Sequence, residues 1–218
     1  MYDKYNKEHK AIRYIYKKNK NYSGMVNSMS LFQLTAHHGT ERSIAYKIQR
    51  EQHFLTSEGD QKWLGDGAYF FENNPEMARE WSEAEGYKKR YSHYGIVEAQ
   101  IETEVTSLLD LDTPMGREEF HMARLLFTKK LEKESLGIRI PNSRIFDGKI
   151  INDLCCAVSY RVVVQSMFVQ LSKDRKLKVQ SRVPNCRVIS VREPETCIKS
   201  PRVIKGGLLA WKAPKKWS

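Results

Sequence analysis

The segment Ser30 to Ala36 (SLFQLTA) alternates apolar and polar side chains as a half-buried strand does. It runs straight into His37-His38-Gly39-Thr40 and changes at Glu41 to helical spacing through Gln52, with Ile44 and Ile48 four apart on one face. A chain that changes period in this way is mixed. Further along, a polar turn at Ser57 to Gln61 precedes the loop Trp63-Leu64-Gly65-Asp66-Gly67 and a short aromatic strand, Ala68-Tyr69-Phe70-Phe71. Asn74-Pro75 supplies a cap and a first-position proline, opening a helix to about Arg90 with Ala78 and Trp81 facing inward.

Gly95 to Ile101 reads as a strand. Arg117 to Ser135 reads as a helix that buries Phe120, Ala123, Leu126 or Phe127, and Leu131. Lys149 to Val158 is expected to be helical and Arg161 to Leu171 a strand; Cys186 to Arg192 and Thr196 to Ile204 are the last strands. Strands and helices alternate first and strands cluster at the end, which favours α+β over a doubly wound sheet. With no repeat or low-complexity linker, the economical parse is a body, 30–204, between a basic aromatic arm, 1–29, and a tail, 205–218, with Gly206-Gly207 as the hinge of that tail.

The 218 residues are 40% hydrophobic, 11% aromatic and 29% charged, which excludes wholesale disorder. No run approaches the roughly 18 apolar residues that span a bilayer, and the residues after Met1 contain no apolar signal core, so a soluble, cytoplasmic protein without a membrane partner is expected. Cys155, Cys156, Cys186 and Cys197 have no CxxC spacing and suggest neither zinc nor a disulfide framework; Cys155 and Cys156 are expected in the core.

The net charge of +11 resides in the ends: residues 1–20 carry +5 and residues 199–218 carry +6, interleaved with Tyr2, Tyr5, Tyr14 and Tyr16 at one end and Trp211 and Trp217 at the other. Cations beside stacking rings suit single-stranded nucleic acid. Solvated tails, or a helix with its core stripe at Tyr5, His9, Ile12 and Tyr16, remain the plainer alternatives.

Thr35-Ala36-His37-His38-Gly39-Thr40, followed about thirty residues later by Gly65-Asp66-Gly67-Ala68-Tyr69-Phe70-Phe71, resembles the first two motifs of the ADP-ribosyltransferase superfamily, in its diphtheria-toxin and poly(ADP-ribose) polymerase branch. The match covers roughly residues 30 to 85 well and 160 to 204 loosely. The resemblance implies a split β-sheet core with flanking helices, NAD as co-substrate, no metal, and transfer of ADP-ribose to a macromolecule. Stand-alone bacterial members of this size are commonly toxins of toxin–antitoxin or phage-defence systems, which implies an antitoxin partner. The basic ends direct the acceptor toward RNA or single-stranded DNA, with a protein acceptor open.

Breaking the bond between nicotinamide and ribose develops oxocarbenium-like charge, so the site must hold the leaving ring, exclude water and stabilise positive charge. On this resemblance His38 bonds a ribose hydroxyl, Gly39 and Thr40 admit the dinucleotide to the backbone, Tyr69 offers a stacking face, and Gly65 and Gly67 turn the loop beneath it. Successive strand residues face opposite ways, so His37 and His38 cannot share a metal ion; one belongs in the cleft, and the motif selects His38. The third element is a carboxylate near the last strands. Glu195, directly before Thr196 to Lys199, is the candidate, with Glu193 beside it. An alternative register makes Cys186 to Arg192 the motif strand and puts Arg187 or Val188 where the glutamate belongs. A non-catalytic nucleic-acid-binding module on the same fold, a tRNA 2′-phosphotransferase and simple NAD hydrolysis are the competing readings. Only Arg42 and Arg50 between Thr40 and Phe71 could serve the phosphotransferase's phosphate pocket.

Overall fold

In the computed structural model the alternation that begins at Ser30 continues through the His-His-Gly-Thr segment, so that β1 (Leu31–Glu41) is eleven residues long. Its length follows from its neighbour: β3 (His93–Glu104) pairs with it antiparallel from Leu31↔Glu104 to Glu41↔Tyr94. The described residues are 30–59, 62–134 and 143–209; the arm 1–29 and the tail residues Trp211 and Trp217 lie outside them.

Helix α1 (Arg42–Glu51) follows β1, then β2 (Ala68–Glu72), α2 (Pro75–Lys89) and β3. A 3-10 turn at Val105–Ser107 leads to β4 (Leu108–Asp110), α3 (Pro114–Glu134), α4 (Ser143–Val158) and β5 (Val162–Met167). The chain continues through α5 (Ser172–Leu177), β6 (Cys186–Val191), α6 (Pro194–Cys197) and β7 (Ile198–Leu208). Among the described residues the strands form one seven-stranded sheet in the order β4-β5-β6-β2-β1-β3-β7, antiparallel except for β4 beside β5. The α+β expectation holds.

Both faces of the sheet are buried. One face, with Ile96, Leu109, Val163 and Val188, packs against Met77 and Ala78 of α2, Ala123 of α3, and Ile150, Ile151 and Leu154 of α4. The other, with Ala36, Phe70, Val97, Ile101, Val162 and Ile189, packs against Ala45 and Ile48 of α1 and against Phe54. This explains why Val162-Val163-Val164 is continuously apolar: a strand covered on both sides has no wet face to alternate with. Asn74 caps α2 as expected, its side chain accepting the Met77 N–H at 2.9 Å ahead of Pro75.

Several local expectations change. Helix α1 buries Ala45 and Ile48, while Ile44 is 44% exposed, because the sheet selects the Ala45 face. Cys156 is exposed, one position round α4 from buried Cys155. Thr196 belongs to the single turn α6 that Pro194 opens, and the last strand starts at Ile198. That strand runs past residue 204 to Leu208, and Gly206 and Gly207 pair with Gly95 and Tyr94, so they are ladder residues of the body and not a hinge. Two of the terminal cations are likewise part of the body: Arg202 bonds Glu98 at 2.6 Å and Lys205 bonds Glu76 at 2.8 Å.

Gly39 has a packing reason distinct from the ligand access expected of it. A Cβ there would lie 1.8 Å from the Ala78 carbonyl oxygen, because α2 rests directly on β1. Backbone against backbone cannot yield as a flexible side chain does. Gly39→Ala should therefore destabilise the fold by about 1–3 kcal/mol, the range for overpacking a close-packed core, measured as a lowered denaturation midpoint.

Candidate functional site

The sheet parts where the two sequence motifs meet. β1 and β2 pair only at Ala36↔Glu72 and His37↔Phe71, although the same register would bring Gly39 opposite Tyr69 and Thr40 opposite Ala68. Beyond His37, β1 continues against β3 alone, while β2 continues against β6. A cavity of about 430 Å³ opens at this divergence, lined by His38, Gly39, Thr40 and Glu41 from β1 and by Ala68, Tyr69 and Phe71 from β2. Trp81, Glu85 and Lys89 of α2 form another wall, joined by Lys62, Trp63, Tyr91 and Val188; Ile44, Leu55 and Ser57 complete the opposite side. Its volume lies within the roughly 300–1,000 Å³ of ordinary ligand sites.

His38 bridges the gap. Its Nδ1 lies 2.8 Å from the Tyr69 carbonyl oxygen, and a carbonyl can only accept, so Nδ1 carries the proton and neutral His38 keeps a lone pair on Nε2. Burial pushes the imidazole below its ordinary 6.5; the bond to Tyr69 opposes that shift and Lys89 adds to it. The ring also packs against Phe54 and Phe70, each with centroids 5.5 Å away, so it is half in the core as well as in the cleft. His37 faces the other way, is buried, and lies 3.3 Å from Glu98 through Nε2. The division between the two histidines is the one expected.

Tyr69 is anchored at its far end. Its hydroxyl donates to the Gly65 carbonyl at 2.6 Å and accepts the Leu64 N–H at 2.9 Å. Burial pushes the phenol up to about 12, so near neutrality the site uses its ring and not its proton. The loop below is held in turn by Asn152 of α4, whose Oδ1 accepts the Asp66 N–H at 2.8 Å and an Arg192 N–H at 2.7 Å. Gly67, with φ +151°, exchanges backbone bonds with Ser57 and would drive a Cβ to 2.3 Å from Ser190 Oγ. It shapes the loop and is not among the lining residues.

The structure does not bring Glu195 into this cavity. Its carboxylate is 64% exposed on α6 and lies 3.0 Å from His53, while Glu193 pairs with Arg161 at 3.2 Å. The strand beside Tyr69 is Cys186–Val191, as in the alternative register. Arg187 turns away to bond Glu72, Asp110 and Asp112 at 3.1, 2.7 and 2.9 Å, and Val188, paired with Phe71, lines the cavity. The carboxylates that do line it, Glu41 and Glu85, were not singled out in the sequence. Glu85 is held by Lys88 at 3.0 Å and Lys89 at 3.5 Å; burial pushes its carboxyl up, and these lysines outweigh burial and bring it below its usual range. Glu41 accepts Ser43 Oγ at 3.0 Å and has no ion pair among the described residues. Trp81, Glu85 and Lys89, spaced by four along α2, were a readable signal of one helix face turned to a polar ligand.

No family model matches the chain. No solved structure matches it significantly. It is similar to MJ0359, an uncharacterized protein of Methanocaldococcus jannaschii, with 26% identity over 190 residues covering 81% of this chain and 87% of that protein. The likeness therefore extends well beyond the two motif segments.

The burial of His38 and the bonds of the Tyr69 hydroxyl each carry an outcome. An unfolded chain takes up a proton at His38 near 6.5 and the folded chain resists it, so His38 stabilises the fold above that pH and the contribution is lost as pH falls below it. Melting curves between about pH 7 and 5 should drop more steeply for the native protein than for His38→Gln. Tyr69→Phe leaves the Leu64 N–H without its acceptor and should cost about 1–3 kcal/mol in chemical denaturation while keeping the ring.

Proposed function

We propose that the chain is an NAD-dependent ADP-ribosyltransferase acting on a macromolecule. The observation that carries this reading is the meeting of His38, Gly39, Thr40 and Tyr69, drawn from motifs thirty residues apart, around one cavity where two strands of the sheet separate. That separation fits the split core implied by the resemblance. Other features of the cavity fit a dinucleotide: Trp63 and Trp81, in edge contact with centroids 5.3 Å apart, make a dry wall, and Lys62 and Lys89 offer positive charge to phosphates.

NAD would supply the ADP-ribosyl group: the bond from ribose C1′ to nicotinamide breaks with its electron pair going to the nicotinamide nitrogen, the acceptor atom bonds C1′, and the acceptor's proton is released. The chain's own groups have matching tasks. His38 Nε2 accepts a ribose hydroxyl, and its neutral state at physiological pH keeps that lone pair available. The Tyr69 ring stacks on the leaving nicotinamide. Glu41, the lining carboxylate without a cationic partner among the described residues, stabilises positive charge on the ribose. An antitoxin partner and a role as a toxin rest on the family resemblance alone.

A second reading is favoured by Val188. With a valine at the cavity wall on β6 and Glu195 outside, the fold could bind the dinucleotide without transferring from it. Incubation with labelled NAD and separate pools of RNA, DNA and protein separates the two: label should pass to a macromolecule with release of nicotinamide, whereas binding without release supports the second reading. In the same assay Glu41→Gln should cut the rate by about 100-fold or more, the scale of losing one preorganised electrostatic group, with NAD affinity retained. Glu195→Gln should leave the rate near the native one. A large loss in Glu195→Gln with none in Glu41→Gln would return the catalytic role to α6.

A further inference from the structure

Trp63 lines two cavities. Besides the first cavity it borders a second space of about 310 Å³, whose walls include Asp147 of α4, Phe168 and Gln170 after β5, Arg175 of α5, and Gln180. No role in the reading above uses these residues. Trp63 and Phe168 supply two aromatic surfaces, Arg175 one cation, and Gln170, Gln180 and Asp147 supply amide and carboxylate groups. Gln170 is already oriented, its Nε2 donating to the Val179 carbonyl at 2.7 Å.

We propose that this second cavity is the acceptor site of the transfer reaction and that it takes a nucleobase from single-stranded nucleic acid. The inference rests on the transferase reading. Single-stranded bases are held by stacking on aromatic side chains and told apart by hydrogen bonds to their exposed edges, with a cation for the backbone. A serine, lysine or glutamate acceptor has no ring face to fill a site with two aromatic walls. The shared indole borders both spaces, which makes the two occupants neighbours, and it is in edge contact with Trp81. Asp147 adds a contact to the base edge: a carboxylate accepts from the amino groups of adenine, cytosine and guanine and from the N3–H of uracil and thymine. Burial raises the Asp147 carboxyl, and the charges of Arg124 and His121 oppose that shift.

The test uses the full chain and short homopolymeric single-stranded oligonucleotides, with binding measured directly and without NAD, beside transfer measured with labelled NAD. Phe168→Ala should weaken oligonucleotide binding roughly 5- to 150-fold, the loss of one stacked base. Arg175→Ala, at an exposed position that cannot unfold the core, should also weaken it and should raise the acceptor KM, with the affinity for NAD unaltered. Asp147→Asn, which keeps the shape and removes the negative charge that accepts from the base edge, should also weaken oligonucleotide binding. His38→Gln should lose NAD affinity and keep oligonucleotide binding. Oligonucleotide binding that weakens in the Phe168 and Arg175 variants upholds the base site even if NAD does not bind, in which case the transferase reading alone fails. Equal affinity in native, Phe168→Ala and Arg175→Ala proteins overturns the proposal, as does label that passes to protein and never to nucleic acid.

Discussion

The ladder between β1 and β2 ends after two residue pairs, and the rest of the site depends on that early ending. Had it continued, Gly39 and Thr40 would face Tyr69 and Ala68 across an ordinary antiparallel pair and no cleft would exist. The bond from His38 Nδ1 to the Tyr69 carbonyl stands where a backbone bond would otherwise form. It spans the gap with a side chain, leaving room above and below, and in doing so it fixes which ring nitrogen carries the proton. The strands can afford to separate because each has a full partner on its outer side, β3 for one and β6 for the other.

Around that opening the chain is braced more heavily than a surface loop needs. Asn152 joins the Asp66 N–H to Arg192, Tyr69 closes on Leu64 and Gly65, and Ser82 Oγ donates to the Thr40 carbonyl at 2.9 Å. These bonds connect β1, β2, α2, α4 and the end of β6. Small displacements of one wall are thereby resisted by the sheet and by two helices packed on it, the condition a site needs to hold groups in a fixed mutual geometry.

Much of this was legible in the sequence, for physical reasons that differ from residue to residue. The strand-to-helix change near Glu41, the Asn74-Pro75 cap and the opposite facing of His37 and His38 are local matters of period and capping. The joining of His38 to Tyr69 came from motif resemblance, because nothing local links residues 38 and 69. What escaped was whatever depends on the partner across a gap. Ile44 and Ala45 are equally plausible core residues until the sheet chooses between them. Glu195 precedes an apolar run, yet Pro194 opens a helical turn there that directs the carboxylate to His53. Arg187 and Val188 differ only in strand parity, and that parity sends one to three carboxylates and the other to the cavity. Gly39 was rightly noticed, but the reason for it is the Ala78 carbonyl.

The outer strand β7 gives the terminal cations another meaning. Among the described residues it is an eleven-residue edge with β3 on one side only, a template on which a second chain could add and begin to aggregate. Its sequence works against that. Pro201 lacks the amide proton that an added strand would need, the ladder slips at two points against β3, and Lys199, Arg202 and Lys205 are all exposed along it. Two copies meeting edge to edge would bring these side chains together, so the charge on this border works against that contact whatever the chain binds elsewhere.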